Sequence, residues 1–109
     1  MNDLDRQVAE AMGWTAFDCC AVNPKTNEIM GDRWSPSTSY DQIIGCIEAK
    51  GWWWRCDCYG DCRYAGYIFD FNRNTVIGAS GNIGAKDFIE SGPEALCRAF
   101  LAACEKEGE

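Results

Sequence analysis

The chain has 109 residues and contains no histidine. Histidine is the usual general base near neutral pH, the imidazole of nucleophilic triads and the commonest metal ligand in proteins. An enzyme of this composition would have to use carboxylates, thiols or backbone groups instead. The absence favours a protein that acts by binding, and we expect neither catalytic residues nor a bound cofactor.

Basic residues and long apolar runs are also scarce. Ten Lys and Arg residues face seventeen Asp and Glu, which gives a net charge of −7. Nucleic acids and anionic membranes are bound through clusters of Lys and Arg, so we expect neither as the main partner. No stretch approaches the roughly 18 apolar residues of a membrane span, and the N-terminus lacks the basic and apolar regions of a signal peptide. We therefore expect a cytoplasmic protein whose eight cysteines remain thiols.

Three helices are predicted within one domain that spans residues 1–109. The first covers residues 3–12 and ends at Gly13, because Leu4 and Val8 begin an apolar stripe at helical spacing. The second follows a capping box at Ser39 and runs to about residue 50. The last opens after the Ser-Gly-Pro-Glu sequence at 91–94 and has a broad apolar face. Its first stripe consists of Leu96, Ala99, Phe100 and Ala103.

Three strands are predicted between the second and third helices. Residues 52–59 alternate as a strand does, and residues 63–72 and 75–80 follow after short links, which predicts an antiparallel meander. Both faces of these strands carry apolar side chains, so we expect helices, or helices and the long connection at 13–38, to cover both faces. That connection is unusually long for a small domain, so it either has a function or contains an unrecognised short strand.

Three sequence motifs resemble the phage ABA sandwich domain family of small bacteriophage and prophage proteins. They are LDRQVAEAMGW at the start, RWSPSTS before the second helix and PEALCRAFLAA in the last helix. The resemblance implies an α–β–α sandwich around an antiparallel sheet, which agrees with an α+β fold of two or three helices on three or four strands. It carries no catalytic signature, and it implies a structural role for Trp14, Trp34 and Pro36.

The stretch GWWWRCDCYGDC at 51–62 departs from the family pattern and is the first place to look for a specific function. Cys56, Cys58 and Cys62 supply three thiols that zinc could use. However, Cys56 and Cys58 would lie about 6.6 Å apart along a strand, and the Cys-x2-Cys spacing of common zinc knuckles is missing. Small buried hydrophobic thiols are the competing interpretation. A fourth zinc ligand would have to be Cys19, Cys20 or Cys46.

A small nucleotide is a second candidate ligand. Trp52, Trp53 and Trp54 offer stacking faces, and the glycine-rich segment at 78–86 ends in Lys86, which could balance phosphate charge. The segment matches neither the Gly-x4-Gly-Lys-Ser/Thr pattern nor the Gly-x-Gly-x2-Gly pattern of established phosphate-binding loops. A plain loop after the third strand explains it equally well.

A protein partner is the third candidate. Alternating tryptophans on one strand do not all reach a single core, and an exposed tryptophan is a common interface anchor. We expect Trp52, Trp53, Trp54, Tyr59 and Lys86 to include the binding residues. With the resemblance, this predicts a non-enzymatic phage accessory protein in the host cytoplasm that binds a host defence or regulatory protein. A nucleotide sponge and a minor phage assembly protein are the alternatives, and a homodimer is compatible with each.

Overall fold

Three helices and six strands form the part of the chain that the computed structural model describes, which is residues 2–17, 20–30, 34–59, 63–80, 89 and 91–108. The helices are α1 (Asp3–Ala11), α2 (Tyr40–Ala49) and α3 (Gly92–Gly108). The strands are β1 (Thr15–Ala16), β2 (Ala21–Asn23), β3 (Glu28–Met30), β4 (Trp53–Cys58), β5 (Tyr64–Phe69) and β6 (Val76–Ala79). No helix within these ranges is both long and apolar enough to cross a bilayer.

Helix α1 is tied to the chain ahead of α2 by one buried aspartate. The Asp5 carboxylate accepts a hydrogen bond of 2.8 Å from the Ser37 backbone N–H, and the Asp5 carbonyl accepts one of 2.9 Å from the Trp34 indole. Trp14 packs on Trp34 with ring centroids 4.9 Å apart, and Pro36 is fully buried. The three residues singled out by the family resemblance thus lie in a packed junction, in accordance with a structural role.

The long connection contains a small antiparallel sheet of β1, β2 and β3 in that order. Asn27 has a φ of 56° in the turn between β2 and β3, and the Asn23 side chain accepts a hydrogen bond from the Lys25 N–H. These contacts form the turn at residues 24–27 that joins the two strands. The strands have only two or three residues each, which is too short for alternation to be recognised in the sequence.

The ends of α2 follow the predicted signals. The Ser39 side chain accepts a hydrogen bond from the Gln42 N–H at 3.4 Å, as an N-cap does. At the other end Gly51 has a φ of 77°, a left-handed conformation that favours glycine, and its N–H donates to the Glu48 carbonyl. The chain then enters β4 directly.

The second sheet is the predicted antiparallel meander, in the order β4-β5-β6. Trp53 pairs with Phe69 and Cys58 with Tyr64, so β4 and β5 are aligned over their whole lengths. Between β5 and β6 the register shifts, because Ile68 pairs with Gly78 and Phe69 with Val76. Ile77 is the extra residue of this bulge, and its side chain packs against the core.

Helix α3 lies directly on the second sheet at two glycines. A Cβ at Gly66 would be 2.6 Å from the Ala95 carbonyl oxygen, and one at Gly78 would be 2.6 Å from the Ala103 nitrogen. No side chain fits between backbones this close. On the remainder of its surface α3 contacts α1 and α2, which places it at the centre of the core. The stripe of Leu96, Ala99, Phe100 and Ala103 is fully buried, as predicted.

The α+β class, the three helices and the three-stranded meander are confirmed. Helices α2 and α3 lie on the face of the second sheet that carries Gly66 and Gly78. No helix of the described ranges packs on the opposite face, although the apolar side chains on it predicted a cover. Tyr67 is nevertheless buried on that face, and the Arg55 guanidinium of the neighbouring strand lies 4.9 Å from the centre of its ring.

The close contact of α3 predicts that Gly66 and Gly78 do not tolerate a side chain. Gly78→Ala should lower the free energy of unfolding by about 2 kcal/mol or more, because the methyl group would force helix and sheet apart. Gly66→Ala should act in the same direction. Urea unfolding followed by circular dichroism measures both effects.

Gly45 supplies the matched control. It lies on the exposed side of α2, where an added Cβ meets nothing within 4 Å. Gly45→Ala should therefore raise the free energy of unfolding by up to about 1 kcal/mol, as alanine does in helix interiors. Equal effects of the three substitutions would contradict the proposed helix-on-glycine contact.

Candidate functional site: an aromatic surface at the start of the second sheet

The three consecutive tryptophans lie in three different environments. Trp52 precedes β4, is 8% exposed and contacts Phe100 edge-on with ring centroids 5.9 Å apart. Trp53 and Trp54, which begin β4, are 43% and 38% exposed. Trp52 thus belongs to the core, whereas the other two present aromatic surface to the outside.

Trp53 is held in one orientation on the open face of the sheet. Its indole N–H donates a hydrogen bond of 3.2 Å to the Phe71 carbonyl, and the Arg73 guanidinium carbon lies 3.3 Å from the centre of its ring. Arg73 has a φ of 60° in the turn between β5 and β6. An indole fixed in this way loses little conformational freedom on binding, which is the property of a preformed anchor.

A groove of about 270 Å³ lies beside these rings where α2 passes into β4. Trp53 and Trp54 form one part of its lining, and Phe71, which is 77% exposed, forms another. Glu48 and Gly51 of the α2 end and the edge of Trp52 complete it. We call Trp53, Trp54, Phe71 and Arg73 the aromatic surface.

Phe71 and Arg73 were not predicted as site residues. The sequence at 72–74 indicated a tight link between strands, which the structure contains, but the link also carries a cation onto the Trp53 ring. The predicted meander could have indicated them. It pairs Trp53 with Phe69, so the turn that follows β5 lies beside the tryptophans.

Tyr59 lies at the other end of β4, away from the aromatic surface. Its hydroxyl donates to Asp57 at 3.3 Å, and Asp57 also accepts a 2.9 Å hydrogen bond from Arg55. The pKa of Tyr59 is raised to about 12, mainly by the neighbouring Tyr67 hydroxyl. The Asp57 carboxylate contributes a smaller part of the increase. Trp53, Arg55, Asp57 and Tyr59 form a row on the open face, which we call the outer row.

The structure brings part of the predicted site together. Trp53 and Trp54 are adjacent and exposed, Trp52 is buried and Tyr59 is exposed at a distance along the strand. Lys86 and Cys62 lie outside the described residues. Cys56 and Cys58 share the helix side of β4, and the described ranges contain no group of three or more Cys, Asp or Glu residues that could hold a metal ion.

The described thiols differ in burial, and three of them, Cys20, Cys56 and Cys104, are half-buried. Cys46 of α2 and Cys97 of α3 are buried, whereas Cys58 is exposed. Burial raises the pKa of the Cys46 thiol to about 12 and that of the Cys97 thiol still further. Such thiols are unreactive in the folded protein, in line with the interpretation of these cysteines as small hydrophobic residues.

Comparison of the chain with protein-family models, with curated proteins and with solved structures found no match.

The buried thiols predict an alkaline loss of stability. A thiol whose pKa is higher in the folded state than in the unfolded state binds its proton more tightly when folded, so the unfolded state gains as pH rises. For Cys46 the free energy of unfolding should begin to fall near the ordinary thiol pKa of 9.0 and continue to fall towards about 12. The slope should approach ~1.4 kcal/mol per pH unit for each such thiol.

Urea unfolding curves measured over this pH range test the slope. Cys46→Ala should reduce it, since the residue that titrates only on unfolding is removed. Cys58→Ala is the control, because the Cys58 thiol is exposed in the folded protein whereas the Cys46 thiol is buried. An unchanged slope in Cys46→Ala would show that other groups cause the alkaline loss.

Proposed function

We propose that this protein acts by binding another protein through the aromatic surface, and not as an enzyme. The observation that carries the proposal is that three exposed aromatic residues, Trp53, Trp54 and Phe71, line one groove. Tryptophan and arginine dominate interface hot spots, and here an arginine is stacked on an exposed tryptophan.

The shape of the site supports a macromolecular partner over a small ligand. The groove has a volume of about 270 Å³, which is below the usual range of small-molecule sites. Glu48 in its lining would repel a phosphate group. A nucleotide sponge thus remains the alternative, and the experiment below distinguishes it.

The biological setting is proposed from the sequence resemblance to phage ABA sandwich proteins. On the basis of this resemblance, we propose that the chain is a phage accessory protein that works in the cytoplasm of the infected host. The partner would then be a host protein, for which a defence or regulatory protein is our proposal. A role in phage assembly would use the same surface on a phage protein.

Affinity capture with the purified chain from a host lysate, followed by binding measurements with the captured protein, tests the proposal. Trp53→Ala should weaken binding by roughly 30-fold or more, because truncating a hot-spot aromatic residue costs about 2 kcal/mol or more. Phe71→Ala should weaken the same interaction. Native mass spectrometry of the purified protein checks for a co-purifying small molecule.

Phe17 supplies the matched control, because it is an exposed aromatic residue that directly follows β1 in the first sheet and is not part of the aromatic surface. Phe17→Ala should leave binding unchanged. Equal losses in all three variants would indicate non-specific adhesion and contradict the proposal. A co-purifying mass of nucleotide size that is lost in Trp53→Ala would favour the sponge.

A further inference from the structure

Strand β4 is an edge strand, and its hydrogen-bonding pattern shows which backbone groups face outward. The Tyr59 N–H donates to the Arg63 carbonyl at 2.8 Å, so the hydrogen-bonded pairs between β4 and β5 involve the odd-numbered residues of β4. Hydrogen-bonded and non-hydrogen-bonded residue pairs alternate along two antiparallel strands. The N–H and C=O groups of Trp54, Cys56 and Cys58 therefore point away from β5.

These outward groups lack backbone partners within the described ranges. None of the three residues has a backbone hydrogen bond to another part of the described chain. Trp54 and Cys58 are exposed on the helix side of the strand, so α2 does not close the edge at these positions. A six-residue edge without proline or inward-pointing charge is a ready template for another strand.

We propose that a second copy of this chain pairs with the edge, β4 against β4, antiparallel about a two-fold axis at Cys56. Cys56 would face Cys56 of the second copy, and Trp54 would face Cys58 of the second copy. The backbone groups of these residues have no backbone partner among the described residues, so the pairing would add about six backbone hydrogen bonds. The two meanders would join into one continuous sheet.

The side chains of the outer row select this register. With the axis at Cys56, Arg55 lies opposite Asp57 of the second copy, and Trp53 lies opposite Tyr59 of the second copy. These are non-hydrogen-bonded pairs, in which side chains are closest. Each copy supplies both halves of each contact, as an isologous interface requires.

Neighbouring registers are disfavoured by charge. A shift of two residues in one direction would place Arg55 opposite Arg55 of the second copy, and in the other direction Asp57 opposite Asp57 of the second copy. A shift of one residue would place odd-numbered residues of β4 opposite even-numbered residues of the second copy. The backbone groups of the odd-numbered residues are already bonded to β5, so these pairs could not form hydrogen bonds. The charge pattern thus fits a second copy of this chain in a single alignment. The inference does not rest on the proposed function, because it is argued from the strand edge and the outer row, although Trp53 and Trp54 also belong to the aromatic surface.

Charge reversal tests the interface. Arg55→Asp and Asp57→Arg should each weaken dimerisation roughly 30-fold, because each replaces two attractive cross-strand pairs with two repulsive ones. An equimolar mixture of the two variants should form a heterodimer, in which a chain with two arginines faces a chain with two aspartates. Native mass spectrometry separates the three possible dimers by mass, and sedimentation velocity measures their affinities.

The mixture distinguishes the interface from the Arg55–Asp57 contact within each chain, which is lost in both variants and is not restored by mixing. A monomeric wild-type protein, dimeric single variants, or a mixture that stays monomeric would each overturn the proposal. Circular dichroism of each variant establishes that the fold is kept, as expected for side chains on the open face.

Cys58→Pro tests the backbone contribution independently. Proline at this position removes an outward N–H without disturbing the bonds between β4 and β5, and proline is tolerated on sheet edges. This variant should remain folded and lose the dimer. A folded Cys58→Pro variant with wild-type dimer affinity would contradict pairing through this edge.

Discussion

The direct contact between α3 and the second sheet is the constraint on which the rest of the structure depends. Gly66 and Gly78 let the helix backbone approach to a distance that leaves no room for a Cβ. Because α3 is held there, its other sides are available to α1 and α2, and Phe100 meets Trp52 at the end of the sheet. The alanines that α3 turns towards the glycines belong to the same contact. They are Ala95, Ala99 and Ala103.

Much of this arrangement was predictable because local patterns and tertiary structure agree. The caps of α2, the fully buried stripe of α3 and the order of the meander follow from residue types at fixed spacings. The first sheet was not predicted, since strands of two or three residues carry no measurable alternation. Nor did the sequence separate Trp52 from Trp53 and Trp54, because burial depends on where Phe100 lies after folding.

The two faces of the second sheet have different chemistry, and this division separates stability from recognition. On the helix side Gly66 and Gly78 lie against the α3 backbone, where an added Cβ disturbs the packing. The open side combines aromatic rings with paired charges, and Arg55 both shields Tyr67 and binds Asp57. Substitutions on the open side are therefore free to change what the protein contacts while the fold is retained.

The separate environments of the adjacent tryptophans also have an optical consequence. Trp52 and Trp34 are buried among apolar groups, whereas Trp53 and Trp54 are in contact with solvent. Indole emission shifts to the blue in apolar surroundings and to the red in water. The fluorescence spectrum of this chain thus includes a blue contribution from these buried rings, which reports whether the core is intact, and a red contribution from Trp53 and Trp54, which reports whether the strand edge is covered.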